Sequence, residues 1–213
     1  HGRGRHHGAR AAVGRAGAAR TYRLGGFVAE FAGTHRFILD YLTEEVLDRQ
    51  SATLHSFLLE TSVLDRLSGP LCDAVLGRVG SQELLESIER ANLFVLPLDA
   101  ERRWWRYHHL FADMLRARLL ARYPGRVAEL HRAAAVWYER QALADEAIRH
   151  ALAAGDTAWA ARLVEEHFEE MVWRLAEGAT LFGCLAALPP EVIHHRPRLT
   201  LGHAVNMLMA GRL

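Results

Sequence analysis

Two adjacent histidines, His108 and His109, are the residues whose types most readily suggest chemistry. They lie in the stretch RYHHLFADML, which opens with Arg106 and follows the pair Trp104-Trp105. Such side chains bind metal ions, transfer protons, contact phosphates or simply pack against their neighbours. The elements that position them, and the kind of chain they belong to, decide among these roles.

A metal site fits this spacing poorly. Zinc enzymes favour H-E-x-x-H, which places two ligands on one face of a helix. Adjacent residues on a helix point about 100° apart, and no Cys or acidic cluster completes a ligand set. The serines carry no G-x-S-x-G motif, so nucleophilic catalysis has no support either. A phosphate contact and a packing role stay open.

The absence of lysine from the sequence excludes further chemistry. A P-loop needs a lysine beside its Ser or Thr, and Schiff-base catalysis needs a lysine amine. We therefore expect no enzymatic activity, no bound metal and no cofactor in this chain.

Length and composition indicate one or two soluble globular domains. The chain has 213 residues, 50% of them hydrophobic, and a formal net charge of +1, which is enough apolar material for a core. No apolar stretch approaches the length of a bilayer span, and no signal peptide is visible. Cys72 and Cys184 lie in apolar segments, which favours buried thiols over a disulfide. Free thiols fit a reducing cytoplasm as the location.

The first residues differ from the rest. Residues 1–23 contain six arginines and no acidic residue, so we interpret 1–25 as a basic, disordered or non-native segment, with an arm for nucleic acid as the alternative. Residues 26–50 carry apolar side chains at helical spacing, which predicts a helical segment.

Residues 51–123 have the element order of a winged-helix domain. Ser51 is predicted to cap a first helix, Gly77 to end a second and Ser81 to cap a third. The runs LFVLPLD and RRWWRYH then predict a β-hairpin, with Pro97 placing its strand at an edge. The segment HHLFADMLRARLLARY follows as a helix that Pro124-Gly125 breaks.

Residues 124–213 predict one helix after another, each with an apolar face rich in Ala and Gly. Small residues at recurring positions let helix pairs approach closely, as in tetratricopeptide-like repeats. Gly155-Asp156 and Leu188-Pro189-Pro190 are predicted turns. The expected fold is mainly α: a winged-helix domain with a short β-hairpin, followed by an α-solenoid of helix pairs.

Several ordered motifs from Phe27 to Leu213 carry a family resemblance. They include FLLETSVLDRLSGPLCDAVLG, LFVLPLDAERRWWRYHHLFADMLRARL and LHRAAAVWYERQALADEAIRHALAAGD. Together they resemble the large ATP-dependent LuxR-family transcriptional regulators of the MalT type, which are signal-transduction ATPases. Those proteins comprise a P-loop ATPase, a winged helix, a superhelical sensor of tetratricopeptide-like repeats and a C-terminal helix-turn-helix.

The resemblance implies that this chain is a central fragment of such a regulator. Residues 26–50 would end the ATPase module, and residues from 124 would open the sensor. ATP or ADP would be the cofactor of the parent protein, and the partners would be the upstream ATPase domain, the downstream sensor repeats and a small-molecule or protein inducer. DNA would be contacted only through the C-terminal domain, and no membrane is implied.

The resemblance also gives the histidines a role. In related ATPases a winged-helix histidine contacts the phosphate of ADP and holds a closed state, and an imidazole donates well to a phosphate oxygen. His108 or His109 matches that position, with Arg106 as a neighbouring nucleotide contact. In the alternative, one histidine caps the hairpin and the other packs beneath the wing.

Two other functions are weighed against this one. A stand-alone helical-repeat scaffold for protein interaction is the main alternative. An autonomous DNA-binding winged helix is disfavoured because its third helix, SQELLESIERANL, has three glutamates and only Arg90 as a base. Acidic side chains repel phosphates, so we interpret the domain as a protein-interaction and regulatory module.

Overall fold

The computed structural model describes residue 47 and residues 49–169 and 179–209. These ranges contain ten helices and one two-stranded sheet. The predicted segment 1–25 and nearly all of the predicted helical segment 26–50 lie outside the described residues.

The elements follow the predicted order. The winged-helix part comprises α1 (Ala52–Thr61), α2 (Gly69–Leu76), α3 (Ser81–Arg90), β1 (Val95–Pro97), β2 (Trp105–Tyr107) and α4 (His109–Arg122). The helices that follow are α5 (Pro124–Arg140), α6 (Ala144–Ala153), α7 (Thr157–Glu166), α8 (Ala179–Ala187), α9 (Pro190–His194) and α10 (Pro197–Met209). The mainly helical fold class predicted from the sequence is confirmed.

A backbone bridge from the segment that connects α1 and α2 to strand β2 completes the winged-helix topology. Strands β1 and β2 pair antiparallel with Val95 opposite Tyr107. Leu67 adds to the other side of β2: its N–H donates to the Trp105 carbonyl at 2.8 Å, and the Trp105 N–H donates back at 2.9 Å. The order is thus Leu67, β2, β1, which leaves β1 outermost and Pro97 on an edge, as predicted.

Helix caps explain most of the local boundaries. The Ser51 hydroxyl accepts from the Leu54 N–H at 3.3 Å and begins α1, while Gly77 ends α2 at φ 65°; both predictions are confirmed. The prediction that Ser81 caps α3 is wrong, because Gly80 occupies that position at φ 97°. The left-handed turn at Gly80 lets the Asp73 carboxylate accept from the Ser81 N–H at 2.9 Å instead.

The later helices pack as neighbours in sequence order, α5 on α6 and α6 on α7. Small side chains are fully buried where they meet: Ala134, Ala135, Ala147, Ala151, Ala160 and Ala161. Close approach of the helices follows from these alanines. The turn at Gly155-Asp156 is confirmed, with Asp156 capping α7. The short helix α9, which Pro190 begins, was not predicted.

One hydrophobic core extends across the connection at residues 123–124. Helix α2 of the winged-helix part packs directly against α5. Phe57, Leu71 and Leu115 on one side and Leu130 on the other are all fully buried in the same cluster. The domain boundary at residue 124 stays a prediction, but the winged helix and the first pair of later helices share their packing.

Candidate functional site

The predicted nucleotide contacts lie where β2 gives way to α4. The His108 N–H donates to the Phe94 carbonyl at 2.8 Å, which closes the hairpin one residue beyond the strand. His108 is the residue before α4, but its side chain makes no capping hydrogen bond to the helix. Its ring lies 4.4 Å from that of His109. Arg106 and His109 are exposed and His108 is half-buried, so the three side chains share one accessible corner.

A buried hydrogen-bond chain fixes this corner from within. The Thr61 hydroxyl donates to the Phe57 carbonyl at 2.7 Å and lies 2.7 Å from the Tyr107 hydroxyl. Because the Thr61 proton is already committed, the Tyr107 hydroxyl must be the donor in that pair. Burial raises the pKa of Tyr107, so the phenol stays neutral. Tyr107 thus faces inward, which turns Arg106 toward solvent by strand alternation.

The aromatic residues of the hairpin mostly pack. Trp105 is fully buried, and Trp104 is half-buried with its ring edge-on to Trp137 of α5. Arg66 lies over the Trp104 ring at 5.4 Å. The expectation that one face of the strand belongs to the core is confirmed, and this leaves little aromatic surface for stacking bases.

The third helix is tied to the wing by one of its glutamates. Glu89 accepts from the Trp105 Nε1–H at 2.8 Å and from Arg102 Nε at 3.0 Å. The hydrogen bond from Trp105, and after it Arg102, holds the pKa of Glu89 below its usual range. Glu83 on the same helix is exposed. Helix α3 therefore presents negatively charged side chains where DNA-binding winged helices present positively charged ones.

Ion pairs join the winged helix to α6, and sequence reasoning missed them. Asp65, which follows α1, pairs with Arg116 of α4 at 3.1 Å and with Arg149 of α6. Arg66 pairs with Glu146 of α6 at 2.6 Å. Exposed pairs of this kind are each worth about 0–1 kcal/mol, so they set geometry more than stability. No local pattern signals partners that lie so far apart in the sequence.

A cleft of about 310 Å³ lies beside these pairs, between α4 and the segment that follows α1 on one side and α5 and α6 on the other. It is lined by Val63, Asp65, Arg116, Leu119, Leu120, Val127, His131, Arg149, His150 and Ala153. His131 and His150 meet there with their Nδ1 atoms 2.8 Å apart.

Burial sets the protonation of this histidine pair. It lowers the pKa of His131, and it lowers the pKa of His150 to about 3, with His131 as the next cause. Both imidazoles are therefore neutral near pH 7. One sequence signal could have indicated this histidine pair. His131 and Tyr138 are seven residues apart and therefore share one face of α5, and His150 stacks on Tyr138.

The described ranges contain neither a metal-ligand cluster nor a membrane-spanning helix. No group of three or more His, Cys, Asp or Glu side chains there could hold a metal ion. No helix there has both the length and the apolar character needed to cross a membrane. Cys72 and Cys184 are both free thiols, the first buried and the second half-buried.

The fold defines a winged-helix domain whose last helix leads directly into packed helix pairs. Residues 43–127 match the sequence profile of the MalT winged helix domain. This part of the chain belongs to that domain family, and the resemblance to MalT-type regulators is confirmed.

Relatives of two kinds cover most of the chain. The HTH-type transcriptional regulator MalT of Klebsiella pneumoniae subsp. pneumoniae is 40% identical over 175 residues, 80% of this chain and 19% of that protein. MalT of Vibrio campbellii is 34% identical over 170 residues, 78% of this chain and 18% of the relative. The serine/threonine-protein kinase PknK of Mycobacterium tuberculosis is 37% identical over 179 residues, 84% of this chain and 16% of the kinase. The chain thus spans less than a fifth of the length of each.

Proposed function

We propose that this chain is the relay of a MalT-type signal-transduction regulator. It would pass the nucleotide state of an adjoining ATPase module to a ligand-sensing array of helical repeats. The chain itself would carry out no catalysis, and ATP or ADP would bind mainly to the adjoining module. The cytoplasm would be its location, and DNA would be contacted by another domain.

The shared core of the winged helix and the first later helices carries this proposal. Helix α2 packs on α5, and Asp65 and Arg66 pair with α6. A packed interface has discrete arrangements rather than a continuous range of them. A shift of the winged helix would therefore carry α5 and α6 with it, and a shift of the repeats would act back on the winged helix.

The two kinds of relatives support a relay rather than an output. Proteins named as a transcriptional regulator and as a protein kinase share this region. Kinase catalysis needs a lysine that pairs with the ATP phosphates, and this chain has no lysine. What the region supplies to both kinds of protein must then be something other than kinase catalysis, which fits signal transmission.

His108, His109 and Arg106 are the proposed nucleotide contacts of the relay. Their support is their common accessible corner and the anchoring of that corner through Tyr107. A charge-assisted hydrogen bond from an imidazole to an ADP phosphate would favour whichever arrangement brings the two together.

A stand-alone interaction scaffold is the second candidate, and an exposed apolar face on α10 is the surface it would use. Leu201, Val205 and Leu208 form an exposed apolar stripe along α10, at the spacing of one helical face. A scaffold would use such a face for a protein partner, whereas a longer solenoid would cover it with its next helix.

Hydrogen exchange in the complete regulator separates the two candidates. Saturating the ATPase module with ADP or with a non-hydrolysable ATP analogue should change the protection of amides in α6 and α7 if the chain is a relay. Amides of α6 and α7 that exchange identically in both nucleotide states would overturn the relay and leave the scaffold.

A further inference from the structure

The contact between His131 and His150 is poised to respond to protons. His131 belongs to α5 and His150 to α6, and their Nδ1 atoms lie 2.8 Å apart beside the winged helix. His150 is only 4% exposed, and its ring stacks on Tyr138 with 5.3 Å between centroids. We propose that this pair makes the joint between α5 and α6, which lies beside the winged helix, proton-sensitive, so that acidification opens it. The proposal concerns this chain alone and does not depend on the nucleotide relay.

Proton counting explains why the contact is conditional. A hydrogen bond between two Nδ1 atoms needs one N–H donor and one free lone pair. A neutral pair supplies both, and so does a pair that carries a single extra proton. A second proton turns both Nδ1 atoms into donors, and the bond is lost. In the open joint each imidazole is hydrated, so it takes up a proton without losing this hydrogen bond and without carrying a charge in a buried site.

The charges facing the pair from the winged helix do not offset a new cation. Asp65 is the carboxylate that acts on both imidazoles, and it already pairs with Arg116 and Arg149. Asp113 of α4 pairs with Arg116 at 3.5 Å. Glu146 of α6 pairs with Arg66 at 2.6 Å. An imidazolium in the closed joint would therefore meet two guanidinium groups and one shared carboxylate.

The other elements around the helix pair contribute groups that stay neutral or are already paired. Burial raises the pKa of Tyr138 to about 12 and that of Cys184, on α8, to about 11. On α7, Arg162 pairs with Glu139 at 2.8 Å. On α2, Asp73 caps the next helix. The two imidazoles are thus the groups that make this joint respond near pH 6.

The size of the response follows from linkage. An imidazole with a pKa of about 6.5 in the open joint, and a much lower one in the closed joint, favours opening as the pH falls. Between pH 7.5 and pH 5.5 the opening equilibrium gains roughly tenfold for each such imidazole. The pair therefore gives a rise of roughly ten- to a hundredfold over those two pH units.

Hydrogen exchange of the α6 amides in the 213-residue chain, corrected for the intrinsic pH dependence of exchange, measures this opening. The test compares the wild-type chain with the double variant H131N/H150F, in which Phe keeps the stack on Tyr138 but cannot take a proton. His195 is exposed and lies outside the joint, so H195N is the matched control. We expect the full rise for wild type and H195N, and a nearly flat response for the double variant.

An equal rise in wild type and double variant, or no rise in wild type, would overturn the proposal. If the double variant does not fold at pH 7.5, H131N alone should retain only roughly a tenfold rise. A direct measurement on the wild-type chain stands beside these variants. NMR titration of its imidazole Cε1 protons should show His150 still neutral at pH 6 and the pKa of His131 below its usual range, and ordinary titration of both would contradict the mechanism.

Discussion

The indole N–H of Trp105 donates a hydrogen bond to the Glu89 carboxylate at 2.8 Å, and this bond fastens α3 to the hairpin. In a winged helix that reads DNA, the third helix is held ready for the major groove. Here the Glu89 carboxylate of this helix makes hydrogen bonds within the fold, and 15% of the Glu89 side chain is exposed. Helix α3, which would enter the major groove in a DNA-binding winged helix, is therefore held by internal contacts and carries negative charge.

Replacing Glu89 with Gln should lower the free energy of unfolding by about 1 kcal/mol. The Gln side chain can still accept from the Trp105 N–H, but it loses the negative charge that strengthens the hydrogen bonds from Trp105 and Arg102. The pKa of Glu89 is lowered in the fold, so its contribution is present above the unfolded pKa of about 4.3 and is lost as the pH falls through the folded value. E89Q should accordingly flatten the acid limb of stability. Urea unfolding at several pH values measures this, with E83Q on the same helix as control. An equal loss in both variants would contradict the role of Trp105.

Thr61→Val should cost about 1–3 kcal/mol, because it leaves the buried Tyr107 hydroxyl without its acceptor. Thr53 on the same helix is exposed, so T53V is a matched control with little expected effect. The double variant T61V/Y107F should recover part of the loss, since the stranded hydroxyl is gone. Thermal melts of wild type, T53V, T61V, Y107F and T61V/Y107F measure these effects. A loss in the double variant equal to the sum of the losses in T61V and Y107F would refute the hydrogen bond.

The isolated chain should show no sequence-specific DNA binding. Three glutamates on α3 oppose phosphate contact, and Glu89 is tied to the wing. Fluorescence anisotropy with defined duplexes and their scrambled versions measures this at physiological salt. A salt-sensitive shift without sequence preference is expected at most, from the arginines of residues 1–23. Salt-resistant preference for one duplex would refute the regulatory interpretation of this domain.

The isolated chain should also neither hydrolyse ATP nor bind it at micromolar concentration. It contains no lysine, and a P-loop needs a lysine to contact the phosphates of ATP. Phosphate release and calorimetric titration test both parts of this expectation. Turnover that persists in chain purified by two unrelated routes would contradict it.

In the complete regulator, His108→Ala or His109→Ala should weaken ADP binding and raise basal activity. A charge-assisted hydrogen bond made only in the closed state is worth about 1.5–3 kcal/mol, so its loss shifts the closed-to-open ratio roughly ten- to a hundredfold. ADP affinity and melting temperature of each variant separate this role from packing. Lower melting temperatures with unchanged ADP affinity in both variants would leave the pair as structural residues.

Much of the fold could be predicted because its signals are local. Ser51, Gly77 and the edge position of Pro97 follow from capping and strand rules that involve neighbours in sequence. The prediction that Ser81 caps α3 was wrong because Asp73, on the preceding helix, accepts the hydrogen bond from the start of α3. A cap from another helix leaves no local pattern in the sequence.

The candidate sites were predictable in part for the same reason. The accessible corner at His108 and His109 follows from adjacent residues at a strand end. The pairing of His131 with His150 and of Arg66 with Glu146 depends on how α5 and α6 dock against the winged helix. That docking is set by the burial of apolar faces over the whole core, which a single sequence does not resolve.

Charge exchange between Arg66 and Glu146 tests the relay most directly. Hydrogen exchange of α6 and α7 is measured in the complete regulator with ADP and with an ATP analogue, for wild type, R66E, E146R and the exchanged variant R66E/E146R. Each single variant places like charges across the contact between the winged helix and α6 and should reduce the nucleotide-dependent difference in protection, by up to about fivefold for a coupling of about 1 kcal/mol. The exchanged variant should restore it. A nucleotide-dependent difference that is the same in all four proteins would contradict transmission through the contact between the winged helix and α6.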